Sequence, residues 1–382
     1  MFLKPDDLHG CPAQIAASKP TPPRTGSLRH ARAGDAERSG DVSRWSPIDS
    51  GPRADGRRTH IPPMIELTVP KAPRWQASWL GRVLVTAACA AVLLSPGAAC
   101  AWLAPGHMAT GAIAYDSLER RDRQAVAAVV QIMMSHPDRA RFDGELRDLT
   151  GAARDRKLFE FMARWPDDVR LTPFDHPSWH YSEKVVSAAG LVIRPAFGRA
   201  PAAFSHQLAV ARNRGAAAAD RAVALCWVLH IVGDMHQPLH AGMWMSRRFP
   251  FTDAGGVNAW IRTSPDMKPQ TFHRFWDSAG ALDPAEGHRR DPDTFAARLE
   301  AEHPDPLSPV PGDVHKAFVR WVDESRVLAR DIAYEDGRVV FGTSEATATA
   351  PPAGYVDGVQ AVAERRLADA GSHIAAVLVG LR

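Results

Sequence analysis

Cysteine is nearly absent from this chain: four occur in 382 residues, and Cys11, Cys89 and Cys100 all lie within the first hundred positions. Beyond residue 101 only Cys226 remains, so that part of the chain has no internal disulfide and must be held by its core or by metal. Charge of one sign is scarce too. The formal net charge is +3, too small to decide for or against an anionic partner. The one long apolar run, VLVTAACAAVLLSPGAACA, is broken by Pro96 and falls short of the roughly twenty residues a membrane span needs. No segment alternates apolar and polar residues strongly enough to demand a sheet, which argues against an all-β architecture, and no internal repeat is visible.

Composition divides the chain. Residues 1–63 are rich in Pro, Arg, Gly and Ser without apolar periodicity, and are expected to be disordered or to be translated from a start upstream of the real one, with Met64 the better candidate. Their basic residues are diluted by nearly as many acids, which speaks against a nucleic-acid-binding arm. In residues 64–101, Lys71, Arg74 and Arg82 precede the apolar run, which ends in Ala99-Cys100-Ala101. A positive start, a short apolar stretch and an A-x-A site describe a secretory signal peptide. Lipoprotein processing at Cys100 is the runner-up, disfavoured by Gly97. The expected mature chain is therefore 102–382, secreted or periplasmic, and free of the membrane once cleaved.

In that mature chain apolar residues recur at helical spacing: Leu158, Phe159, Met162 and Trp165; residues 222–232; Phe318, Trp321, Val322 and Leu328; and residues 362–381. Pro- and Gly-rich connections fall at 195–201, 252–257, 304–311 and 342–354. The expectation is one compact all-α domain with long loops, carrying at most a short hairpin between 259–262 and 268–272.

Several polar residues stand in apolar frames. In CWVLHIVGDMHQPLHAG, His230 and Asp234 are one helical turn apart and project from the same face, and His240 follows just after Pro238 ends the helix. Burying an imidazole and a carboxylate among Val, Leu, Ile and Trp is costly unless something compensates, and a divalent cation does. TFHRFWDSAG repeats the spacing with His273 and Asp277. Asp167 in ARWPDDVR and His180 in HPSWHYSE are framed the same way. If cleavage follows Ala101, the chain starts WLAPGH, with a free amino group at Trp102 shortly before His107. Taken singly, each pair is more often a satisfied core pair than a ligand pair. His236 faces away from the His230 and Asp234 side. His136, His176, His206, His288, His303 and His315 lack a partner at ligand spacing and are expected at the surface.

Together and in this order, W-x4-H, W-x-D, W-H-Y, H-x3-D-x5-H with the GD-x-HQPLH core, and H-x2-W-D after a GG loop resemble the fungal and plant single-strand-specific zinc nucleases, relatives of bacterial zinc phospholipase C. The resemblance spans 102–382. It implies three Zn2+: the first held by Asp167, His180, His230 and Asp234; the second by His240, His273 and Asp277; the third by His107 and the amino nitrogen and carbonyl of Trp102, with Asp234 bridging to the first. Oxygen and nitrogen donors without thiolate suit catalytic zinc. The implied activity is hydrolysis of single-stranded DNA and RNA to 5′-phosphate products by a metal-bridging hydroxide, with removal of 3′-phosphate from nucleotides. Asp167 would orient the nucleophile and Arg170 neutralise charge on the phosphoryl oxygens. Tyr181 and Glu183 lie where the family places a stacking aromatic and a base-binding acid, and a stacking ring suits an unpaired base.

One departure touches base recognition. Where the family reads GGN, this chain reads Gly255-Gly256-Val257-Asn258, so Asn258 either takes the family asparagine's place shifted by one residue or that contact is lost. His373 stands where the family commonly has Arg and has no assigned function. Single-stranded nucleic acid and nucleotides are the expected partners, as substrates, and a monomer without stable protein partners is expected. The rival readings are a zinc phospholipase C on the same scaffold, against which Asp277 and the 167–170 segment speak, and a zinc-binding protein without catalysis.

Overall fold

A computed structural model describes residues 102–187, 196–282, 289–305 and 311–382. The expected disordered segment and signal peptide lie outside them. The fold is mainly helical, as the periodicity predicts. Among the described residues ten α-helices carry it: α1 (Ala104–Arg121), α2 (Arg123–Met133), α3 (Arg139–Glu145), α4 (Gly151–Asp168), α5 (Ala200–Arg212), α6 (Ala218–Asp234), α7 (Phe272–Ala279), α8 (Pro292–Glu302), α9 (Val314–Leu328) and α10 (Tyr355–Leu378). Local chemistry sets many of the starts. The side chains of Asp122, Thr271, Asp291 and Asp313 accept hydrogen bonds from the first-turn amides of α2, α7, α8 and α9, which satisfies donors the helix itself leaves open.

α6 is buried on every side from Ala224 to Asp234, which makes it an interior helix rather than an amphipathic surface one. It packs against α4 and α5, while α1 lies against both α4 and α10. The α1 contacts are close. A Cβ on Gly111 of α1 would overlap the backbone of Phe159 and Glu160 on α4, and one on Gly371 of α10 would come within 2.5 Å of Ile113 on α1. Two apolar clusters result, one including Phe159, Trp165, Phe204, Trp227 and Phe318, the other Trp102, Phe272, Trp276, Tyr334 and Leu367.

The expected hairpin is present in narrower form, with β4 (Trp260–Ile261) antiparallel to β5 (Gln270–Thr271). A second, three-stranded sheet goes beyond the sequence reading. β1 (Glu183–Val186) pairs antiparallel with β2 (Ala196–Phe197) and parallel with β3 (Gly242–Trp244). Strands of two to four residues are too short to show an alternating pattern. Their effect is to dock the chain after His180 onto the chain after His240: Ser182 N–H donates to the His240 carbonyl at 2.8 Å, and Lys184 N–H to that of Ala241 at 3.0 Å.

Candidate metal centre

The side chains predicted as ligands arrive from six separate segments. α6 supplies His230 and Asp234 from its last turn, both fully buried. The helix ends there, and a 3₁₀ turn at Pro238–His240 presents His240. α7 supplies His273 and Asp277, α1 supplies His107, and the end of α4 supplies Asp167. His180 follows a 3₁₀ turn at Pro177–Trp179.

Their atoms converge. Asp234 Oδ2 lies 3.0 Å from His180 Nδ1 and 3.2 Å from His230 Nε2, while its Oδ1 lies 3.3 Å from His107 Nε2. His180 Nδ1 and His230 Nε2 are 2.9 Å apart. Asp167 stands 3.8 to 3.9 Å from the same three imidazoles. Four ligands at about 2.0–2.1 Å around a tetrahedral ion stand roughly 3.3 Å from one another, and the observed separations bracket that edge. In a second group, Asp277 lies 3.8 Å from His240 Nε2 and 3.5 Å from His273 Nε2. Three sets of side chains could thus hold metal ions: His107, His230 and Asp234; Asp167, His180 and His230; and His240, His273 and Asp277.

Backbone carbonyls fix the imidazole tautomers. His230 Nδ1–H donates to Ala163 O at 2.8 Å, His240 Nδ1–H to His180 O at 2.6 Å, and His273 Nδ1–H to Gly255 O at 2.7 Å. A carbonyl only accepts, so each neutral ring directs an unprotonated Nε2 inward, as metal-ligating histidines do. Nε2 of His107, His240 and His273 and Oδ1 of Asp234 are buried without a hydrogen bond among the described residues. Leaving such atoms unsatisfied costs about 1–3 kcal/mol each, a cost that a cation removes.

Titration follows the same logic. Burial, then the neighbouring His230, hold the His107 imidazole below its usual pKa. Burial lowers His240 to about 4 and His273 to about 3. At His230 burial acts downward too, but the Asp234 and Asp167 carboxylates outweigh it and its pKa is raised. Burial would raise Asp234, yet His230 and the other imidazoles bring it well below the ordinary range. Burial, with Asp167 and Asp234 adding to it, lifts Asp277. A cation in place of protons would relieve both the crowded carboxylates and the neutral rings.

The remaining predicted residues lie around this centre. Arg170 Nη2 donates to Asp167 Oδ1 at 2.6 Å, which sets a guanidinium at the edge of the first group. Trp102 is buried, its indole N–H donating to Gly233 O at 3.1 Å, and Leu103 N–H donates to Asp277 O at 3.0 Å. Tyr181 is half-buried. Glu183 is buried, with its carboxyl against Gly255, where a Cβ would overlap it. Burial, and then the charge of Asp253, raise Glu183 to about 8, so it carries a proton at neutral pH. Asn258 is exposed; its backbone N–H donates to Asp253 O at 2.9 Å.

Two groups escaped the sequence reading. Gln237 Nε2 donates to Asp277 Oδ1 at 2.7 Å while its Oε1 accepts from Leu239 N–H, so it orients a ligand from behind. It sits inside the HQPLH motif, which was the available signal. The anchoring carbonyl of Ala163, far from His230 in sequence, left no signal at all. His236 does face away from the centre, with Nδ1–H on Val232 O and Nε2 2.8 Å from His373 Nδ1. His136 corrects an expectation: it is buried, edge-on to Trp165 and Phe142, because aromatic neighbours supply the packing a surface position lacks.

A model of the S1/P1 Nuclease family matches residues 102–381, a span that opens at Trp102 and takes in every one of these side chains. No curated protein matches the chain.

Proposed function

Because the chain belongs to the S1/P1 nuclease family, and is thereby a nuclease, we propose that it is an exported zinc enzyme that hydrolyses single-stranded DNA and RNA to 5′-phosphate products and removes 3′-phosphate from nucleotides. The observation that carries the reading is the convergence of nitrogen and oxygen donors from His180, His230, Asp234 and His107, with Asp167 beside them, at distances that bracket a tetrahedral edge.

In this reading Asp167, His180, His230 and Asp234 hold one zinc, and His240, His273 and Asp277 a second. His107 holds a third together with the amino nitrogen and carbonyl of Trp102, and Asp234 is shared. Bound zinc supplies Lewis acidity, lowering the pKa of water and drawing charge from phosphoryl oxygens. The protein's own groups then place the reactants. Asp167, whose Oδ1 faces His180 and His230 and whose Oδ2 faces His107, accepts a hydrogen bond from the attacking water and aims it at phosphorus. Arg170 sits beside Asp167, where it neutralises charge that builds on the non-bridging oxygens. One P–O bond forms to the water oxygen and the P–O3′ bond breaks, leaving a 3′-hydroxyl and a 5′-phosphate. A terminal 3′-phosphate presents the same P–O3′ bond, so one arrangement serves both substrates.

Tyr181 offers a ring to a base, and the protonated Glu183 offers a hydrogen-bond donor. Both reach only a base whose face and edge are open, which supports a single-stranded substrate. Among the described residues no helix is long and apolar enough to cross a membrane.

The test is to strip metal from the purified protein, titrate zinc back, and follow cleavage of heat-denatured DNA, duplex DNA, RNA and phosphatidylcholine. Activity on denatured DNA and RNA that returns with zinc is expected. Turnover of lipid alone, or zinc uptake with no return of phosphodiesterase activity, would overturn the proposal.

A further inference from the structure

Phe197 on β2 stands directly opposite Glu183 on β1 in antiparallel register. Directly opposed residues share a sheet face, with Cβ atoms about 4.5–5.5 Å apart. Glu183 is buried, yet Phe197 is 49% exposed. The strand is pinned in this place, since Arg199 N–H donates to Ser178 O at 2.6 Å and Ala200 N–H to Tyr181 O at 3.2 Å. Between Phe197 and these bonds, Gly198 takes a φ of 88°. It lies so close on Tyr181 that a Cβ would overlap the Tyr181 carbonyl and come within 2.5 Å of ring atom Cδ2. Only glycine meets both conditions without strain. Tyr181, Glu183 and Phe197 therefore gather at one place on the sheet.

Stability gives no reason for the phenyl ring. β2 is the outer strand of its sheet, and edge strands are ordinarily blunted with charged side chains because an exposed apolar edge invites association. A ring held half in water, beside a buried acid and a second aromatic, has a use if a flat apolar ligand covers it. Resting on the nuclease reading, we infer that Phe197 is a further base-stacking and specificity-determining residue: the unpaired base whose edge reaches Glu183 lies against the Phe197 ring. A base in a duplex has both faces covered by its neighbours and gains nothing from this ring, so Phe197 adds to the single-strand preference.

Steady-state kinetics on a single-stranded oligonucleotide test this in the zinc-loaded enzyme. Phe197→Ala should raise KM at least about fivefold, the low end of what one aromatic–base stack contributes, with kcat and bound zinc unchanged. Phe197→Tyr and Phe197→Trp should keep the wild-type KM, whereas Phe197→Leu, apolar but not aromatic, should behave like the alanine variant. An unchanged KM in Phe197→Ala, full rescue by leucine, or loss of zinc or of kcat would each overturn the inference, the last two by showing that the ring serves packing. Wild-type protein without activity on the oligonucleotide would instead sink the nuclease reading, and this inference with it.

Discussion

At the residue scale, Asp234 is the hinge of the site, because its two oxygens face different imidazoles: Oδ1 faces His107, and Oδ2 faces His180 and His230. Replacing it with Asn keeps the shape but removes the charge that two ions would share. Asp234→Asn should abolish phosphodiesterase activity and lower zinc affinity by more than the roughly 10–100-fold that loss of an outer partner costs. It should also lower the melting temperature of zinc-loaded protein, since metal binding is linked to folding. Zinc counting beside a thermal melt checks both, and an unchanged melt would contradict the linkage. Glu183 gives a pH prediction. Its carboxyl rises from 4.5 to about 8 on folding, through burial and then Asp253, and Asp253 itself rises from 3.8 to about 6 through burial. A carboxyl with a raised pKa takes up a proton on folding, so its contribution is whole below about pH 4 and fades as pH climbs to about 8. Glu183→Gln, a permanent stand-in for the protonated form, should melt like wild type near pH 4.5 and higher than wild type at pH 8. Melts across that range, with zinc held constant, decide the point.

At the element scale, the ligand pairs on α6 and α7 were legible because a helix converts a four-residue spacing into a shared face. His107, Asp167 and His180 carried no such internal check. Only their order along the chain and the family resemblance grouped them, and the structure brings them onto the α6 pair. What stayed hidden is the support behind the ligands: the carbonyls of Ala163 and Gly255, the amide of Gln237, and the short sheet that ties the His180 segment to the His240 segment. Backbone carbonyls have no sequence signature, and strands of two or three residues have no period to detect. The α1–α4 crossing shows how such hidden support can be tested. α1 carries His107 and α4 carries Asp167, and the two helices approach closely enough at Gly111 that a Cβ there meets the α4 backbone. Gly111→Ala should push the helices apart and cost about 1–3 kcal/mol, as overpacking does. Because His107 moves while α6 and α7 stay, the zinc set that contains it should weaken first. Metal titration should then show a graded loss, one ion before the others. Simultaneous loss of all three, or no loss at all, would mean the crossing does not set the His107 position.

At the scale of the whole molecule, the proposed ligands, drawn from α1, α4, the His180 segment, α6, the His240 turn and α7, would cross-link a chain whose described part holds one free, buried cysteine. Under the proposed function, metal takes the role that disulfides have in many exported proteins. Trp102 would be part of that cross-link. Trp102 is sealed under Gly233 of α6 through its indole, and Leu103 is bonded to the Asp277 carbonyl of α7, so residue 102 is tied to both helices that carry ligand pairs. An amino group freed at that point would lie beside the centre with its lone pair available to a cation, whereas the nitrogen of an amide there has its lone pair delocalised into the carbonyl. Protein prepared to begin at Trp102 should therefore bind three zinc ions and be fully active. Protein that keeps Ala101 and a few residues before it should fold, since the core from α1 to α10 is untouched, but should bind two ions and lose most of its activity. Native mass spectrometry of the two forms, run beside the nuclease assay, reads the stoichiometry directly. Three ions and full activity in the extended form would show that the amino terminus is not a ligand, and would leave His107 and Asp234 to hold the third ion without it.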